Sequence, residues 1–223
     1  MKNGTLYGAK VKKAYVKLRH ALPSPRIPEP DNPLRRLAIA ILGVRCGDVE
    51  AQRAIDRALT TLVDWNEIRV SSAFELNKAM GNTIFQGTQQ CQRLIYALQA
   101  VFDRENRLSL DHLWGLGRRE ARHYLEPLPG VDEYVVASVL LWSLGGHAVP
   151  VNDKLLKVLR EADLVHPSAD RAEVQSFLER HIGAADAKEF CLIMPSLSVT
   201  KRTASRVSKT QSAVRKKSGT KSK

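Results

Sequence analysis

The stretch LPGVDEYVVASVLLWSLGGHAVPVNDKLLKVL, residues 128–159, limits what this chain can fold into more than any other segment. Gly130 lacks a Cβ, so the LPG triplet can turn tightly and bring its backbone close to a neighbour. A strongly apolar run follows, and it predicts a buried helix over 133–144. After a Gly-Gly break and the extended tetrad VPVN comes a second helix over 153–162, for which Asn152 offers the capping oxygen.

Elsewhere the pattern is also helical. Residues 21–33, ALPSPRIPEPDNP, hold five prolines; each removes a donor and restrains the residue before it, so this segment is an extended linker. Asp31 or Asn32 can then cap a helix that starts at Pro33 and runs to about Val44. In the next segment Val49, Ala54, Ile55, Ala58, Leu59 and Leu62 fall on one helical stripe. Further helices are predicted at 72–80, 89–103, 109–114, 117–124 and 170–181, with Ser72, Thr88, Ser109 and Ser168 as caps. No alternating run is long enough for a sheet. The expected fold class is all-α.

The net charge of +12 is uneven. Residues 200–223 carry nine Lys/Arg and no acid, and residues 1–36 carry nine against two acids; subtracting +9 and +7 from +12 leaves −4 for residues 37–199. The 200–223 tail has almost nothing apolar to bury and is expected to be disordered. Cys46, Cys91 and Cys191 are too few for a disulfide framework and form no CxxC pair, which suits a reducing cytoplasm. The histidines have no metal-ligand spacing, and no run reaches the roughly 20 apolar residues of a membrane span.

Taken together, PLRRLAIAILGVRCGDVEAQRAIDRAL, LEPLPGVDEYVVASVLLWSLG and HAVPVNDKLLKVL resemble, in this order, segments of the endonuclease III-type helix-hairpin-helix DNA glycosylases. The likeness covers about residues 32–194. It implies two all-α lobes with a DNA-facing cleft: residues 32–146 carrying the helix-hairpin-helix, and 147–199 joined by a basic, proline-rich N-terminal arm, 1–31. It also implies duplex DNA as partner and a place in base-excision repair. The family's iron–sulfur loop needs four closely spaced thiolates, so no cofactor and no metal is expected.

The resemblance singles out positions where this chain departs from the pattern. Tyr134 stands where lyases of the family have the imine-forming Lys. Asn152 stands at the catalytic Asp position, with Asp153 beside it. On the DNA-facing side are Arg45, at a gap-filling Gln position, Phe85 near the wedge loop, and the hairpin residues Leu128, Gly130, Val131 and Asp132. Each also has a plainer reading: Tyr134 and Phe85 as core residues, Arg45 as a solvated cation, Asn152 as a helix cap. Asp132 and Glu133 serve either as first-turn acids or as carboxylates that repel a phosphate.

The resulting expectation is a monomeric, cytoplasmic, nucleoid-associated DNA-binding protein without the standard glycosylase and lyase chemistry, with room for a protein partner. Two alternatives are a monofunctional glycosylase working through Asp153 and a non-catalytic interaction scaffold.

Overall fold

The computed structural model describes residues 4–197, so the basic tail at 200–223 lies outside the described residues. Eleven α-helices follow one another among them: α1 Gly4–Ala21, α2 Pro33–Cys46, α3 Asp48–Thr61, α4 Trp65–Val70, α5 Ala73–Ala79, α6 Gly87–Glu105, α7 Arg118–Leu125, α8 Glu133–Trp142, α9 Asp153–Glu161, α10 Arg171–His181 and α11 Ala184–Ile193. Short 3-10 turns occupy Asp111–Gly115 and Met194–Ser196. There is no strand among the described residues.

Two helices organise the core because they are apolar nearly all round. Residues Leu37 to Leu42 of α2 and Tyr134 to Trp142 of α8 are all buried. The helices α3, α6, α8 and α9 pack around α2, and α7, α10 and α11 close over α8. Asn32 caps α2, its side-chain oxygen accepting from the amides of Leu34 and Arg35, and Pro33 at the first helical position forfeits only an amide that has no partner there.

The N-terminal arm contains a helix that the sequence pattern did not announce. Residues 4–21 are helical, and the buried Tyr7, Val11, Tyr15 and Leu18 form a stripe that packs against α10 and α11. Tyr15 donates to Asp186 and Glu189, both at 3.1 Å. The proline segment after it has no regular structure and leads back to α2.

Several local expectations are corrected. Val49 is 59% exposed rather than on the buried stripe of α3, which Ala51, Ala54, Ile55 and Ala58 form. Three predicted caps also move. Before α6 stands Gln86 in the left-handed region; Leu110 directly precedes the 3-10 turn, though the Ser109 hydroxyl still accepts from the Asp111 amide at 3.1 Å; and α10 is capped by Asp170 in a reciprocal pair with Glu173. Ser72 does cap α5, with Glu75 completing the capping box. The helices α4 and α11 carry too little period to have been predicted.

Candidate nucleic-acid interface and cavity

The turn between α7 and α8 is closed by amides of Leu128 and Val131 that donate to the carbonyls of Leu125 and Leu128 at 3.1 and 3.2 Å. Gly130 has φ +78°, and a Cβ there would lie 2.9 Å from the Arg93 carbonyl oxygen. Both the positive φ and the close approach demand glycine. Arg93, on α6, donates to the Gly130 carbonyl at 2.8 Å. Pro129 is exposed and Gly130 and Val131 are half-buried, whereas Leu128 is buried. Leu128 therefore anchors the turn to the core.

Asp132 is not a bare acid on this turn. One carboxylate oxygen caps α8 by accepting from the Val135 amide at 3.1 Å. The other pairs with Arg171, and Arg93 stands 3.9 Å away. The hairpin's own carboxylate is thus neutralised, in keeping with the reading of Asp132 as an acid that serves the start of α8.

Arg45 and Phe85, far apart in sequence, come together. The Arg45 guanidinium carbon lies 5.7 Å from the Phe85 ring centroid, within cation–π reach. Phe85 is 62% exposed, so it is not a core residue. It sits just before α6, and Arg93 is six residues into that helix; at about 1.5 Å per residue the pair stands on the order of 10 Å along α6 from the hairpin contact.

Between α3, α8, α9 and α11 lies a cavity of about 340 Å³, lined by Asp48, Glu50, Tyr134, Asn152, Lys154 and Cys191 among others. Tyr134 is 2% exposed and donates its hydroxyl to Asp48 at 2.8 Å. Burial first, then the Asp48 carboxylate, push the Tyr134 pKa well above its ordinary value. The other Asp48 oxygen accepts from Arg36 at 2.6 Å, and Arg36 also holds Asp31 at 2.6 Å. The Arg36 side chain is only 8% exposed, which is admissible for an arginine held between two carboxylates. At the mouth Lys154 donates to Glu50 at 3.1 Å. Partial burial is the largest single influence on Glu50 and raises its pKa, but the Lys154 hydrogen bond, a backbone hydrogen bond and the charges of Lys154 and Arg53 together leave the group below its ordinary value. Burial pushes the Cys191 thiol up, so it remains protonated at neutral pH.

The extended segment before α9 decides which side chains reach this cavity. Glu179, Gln175 and Arg171 lie four residues apart on α10, and they take the Val149 amide (3.3 Å), the Val151 amide (3.4 Å) and the Asp153 carboxylate (3.4 Å) in turn. Four residues of helix advance about 6 Å and two of extended chain about 6.7 Å, so the two periods match. Positions 149, 151 and 153 are tied to α10, while Pro150 and Asn152 line the cavity. Asn152 caps α9, accepting from the Leu155 amide at 2.8 Å. Asp153 is turned away, 51% exposed and bonded to Arg171. Bringing it into the cavity requires a one-residue slip that would break all three contacts. Of the positions that the sequence marks for chemistry, the cavity contains Tyr134 and Asn152 but not Asp153.

Sequence reasoning did not mark Asp48, Arg36, Arg93 or Arg171. The signal for Arg36 was its place inside an apolar helix, which demands a carboxylate partner. Asp48, opening the next helix, is the acid that the α2–α3 corner brings back to it. The iron–sulfur cluster of the resembled family does not fit: the whole chain has three cysteines, and Cys91 is buried in α6 beside Met80.

No protein-family model and no curated protein matches the chain. Solved structures do. An endonuclease III trapped as a covalent intermediate with DNA is 16% identical, with a TM-score of 0.66 over 85% of this chain and 84% of that one. The 8-oxoguanine glycosylase/lyase of Clostridium acetobutylicum, in complex with DNA containing cytosine opposite 8-oxoG, is 13% identical at a TM-score of 0.66 over 89% and 71%. A thermostable thymine-DNA glycosylase is 17% identical at 0.57 over 88% and 86%. The chain has the all-helical fold of the endonuclease III-type DNA glycosylases.

Proposed function

We propose that the protein binds duplex DNA in the manner of base-excision repair proteins, along a cleft between a lobe of residues 32–146 and one formed by 147–199 with α1. The observation that carries this reading is the Arg45–Phe85 pair. An exposed phenylalanine forgoes about 1.5–3 kcal/mol of burial, and a guanidinium stacked on its face adds a cation beside it. A wedge with a cation beside it suits a base stack flanked by phosphates. The Gly130 hairpin contact stands on the order of 10 Å away along α6, and solved complexes of the same fold contain DNA.

The imine route of the lyases has no nucleophile at position 134, because a phenol forms no Schiff base. Asp153 offers no substitute for the missing carboxylate at 152, since α10 holds it outside the cavity. The reading is therefore a DNA-binding protein that lacks the standard lyase chemistry.

Two measurements test it together. Fluorescence anisotropy should show duplex binding that Phe85→Ala and Arg45→Ala each weaken, more for a duplex with an abasic site than for an intact one. Borohydride should fail to trap the protein on abasic DNA. Absence of binding by the unaltered protein refutes the first half; trapping that disappears with Lys154→Ala refutes the second, since Lys154 lines the cavity.

A further inference from the structure

The cavity has an apolar side and one unmatched charge. Val49, Trp142, Leu155 and Leu192 form the apolar side. Its charged lining residues are Asp48, Glu50 and Lys154, and Lys154 matches Glu50 at the mouth. The charge left over is that of Asp48. Its oxygens accept one hydrogen bond each from Tyr134 and Arg36, whereas an ionised carboxylate has about four acceptor sites, and 36% of the side chain is still exposed. Arg36, the one cation within salt-bridge reach of Asp48 among the described residues, is shared with Asp31. Asn152, which lines the same cavity, is neutral.

Such a surface suits a lysine or arginine side chain, whose methylene stem covers apolar atoms while its head meets a carboxylate. At about 340 Å³ the cavity stands at the small end of ligand pockets, which span about 300–1,000 Å³, and one long side chain fits within it. The chain brings such side chains to the rim itself. Leu192 and Pro195 line the cavity, and the described residues end just beyond them at Leu197. Lys201 and Arg202 follow, the first of nine Lys/Arg in residues 200–223, which contain no acid. The segment from Pro195 to Lys201 reaches about 20 Å when extended, and a tether that short gives an effective concentration in the millimolar range.

We propose that the chain's own basic tail occupies this cavity when no DNA is bound, with Lys201 or Arg202 laid along the apolar side and its cationic head on Asp48. Gly47, at the rim, follows Arg45 by two residues, at most about 7 Å of backbone, so the docked tail stands near the Arg45–Phe85 pair. A duplex competes for the same cations through its phosphates, and its binding empties the cavity. The apparent affinity for DNA is then the intrinsic one multiplied by the fraction of molecules whose cavity is free. This gating role rests on the DNA-binding reading above; the docking itself does not.

Two measurements on the full chain test it. A carbodiimide joins a carboxylate to an amine only where the two touch, and the Lys154–Glu50 contact at 3.1 Å is the internal control that the reagent reaches the mouth. Mass spectrometry should find Asp48 linked to Lys201, or to position 202 in the Arg202→Lys variant, and an added abasic duplex should suppress that link. Anisotropy then compares the loss of both cations, Lys201→Ala with Arg202→Ala, in the parent and in Asn152→Asp, which keeps the α9 cap and adds a second negative charge to the cavity. Whatever the two cations give to phosphates is common to both backgrounds and divides out. The tail change should improve duplex affinity by a factor about threefold larger in Asn152→Asp than in the parent, since the second carboxylate holds the tail longer. Absence of the Asp48 link from both proteins while Lys154 and Glu50 do link, or an equal effect of the tail change in both backgrounds, overturns the docking and leaves the DNA-binding reading intact. An Asp48 link without duplex binding by the unaltered protein refutes the DNA-binding reading and the gate, and leaves the docking.

Discussion

Replacing Gln175 by Leu should destabilise the protein by about 2–4 kcal/mol, although the substitution preserves volume at a buried position. Gln175 is 4% exposed and makes two hydrogen bonds, accepting from the Val151 amide at 3.4 Å and donating to the Glu133 carbonyl at 3.1 Å. Leucine leaves the Val151 amide buried without an acceptor, which costs about 1–3 kcal/mol. Loss of the second bond adds about 1 kcal/mol more, because the Glu133 carbonyl still has its place in the α8 ladder. For a domain of this size the sum corresponds to a fall in Tm of roughly 5–15 °C. Urea denaturation monitored by circular dichroism gives the free energy directly, and Gln175→Glu, which keeps the acceptor for Val151, should lose less than Gln175→Leu. A Leu variant within about 0.5 kcal/mol of the parent, the usual range for surface changes, would refute the claim that α10 holds the 149–153 segment in register.

Three further outcomes follow from the same geometry. Gly130→Ala should cost about 2–4 kcal/mol in urea denaturation, since left-handed backbone alone costs about 1–2 kcal/mol for a residue with Cβ and the new atom meets the Arg93 carbonyl. Asp132→Asn keeps a capping oxygen but frees Arg171 and Arg93 from a carboxylate; duplex binding measured over a salt series should tighten, with its log–log slope steeper by about 0.9 for each phosphate gained. The raised Tyr134 pKa makes a stabilising contribution that is full below the unfolded value near 10 and is lost as pH rises above it, because the unfolded chain sheds that proton first. Stability measured from pH 9 to 11 should therefore fall faster for the parent than for Tyr134→Phe, by up to about 1.4 kcal/mol per pH unit.

The parts of this fold that local chemistry dictates were legible in the sequence. Gly130 announced its turn because the triplet preceded a long apolar helix, and Asn152 announced its cap by standing just before a periodic segment. What the sequence hid depends on partners far along the chain. Asp153 could be placed only once α10, with Arg171 eighteen residues later, was seen to hold it. Asp48 reads locally as a first-turn acid of α3, and only the packing of α2 and α3 against α8 turns it toward Tyr134. The charge balance of the hairpin was hidden for a similar reason: Asp132 is paired with Arg171, which no local pattern pairs with it. The arm helix α1 was missed because lysines separate the apolar residues of its stripe and its stability depends on α10 and α11, as tertiary packing dominates most helices of marginal propensity.

The central claim is that Phe85 and Arg45 open a duplex beside the hairpin. A duplex with 2-aminopurine next to an abasic site reports base unstacking as a rise in fluorescence. Saturating protein should raise that signal, and Phe85→Ala should abolish the rise while the hairpin and basic residues still bind the duplex. Full binding of the unaltered protein with no change in 2-aminopurine fluorescence, or an undiminished rise with Phe85→Ala, would contradict the account.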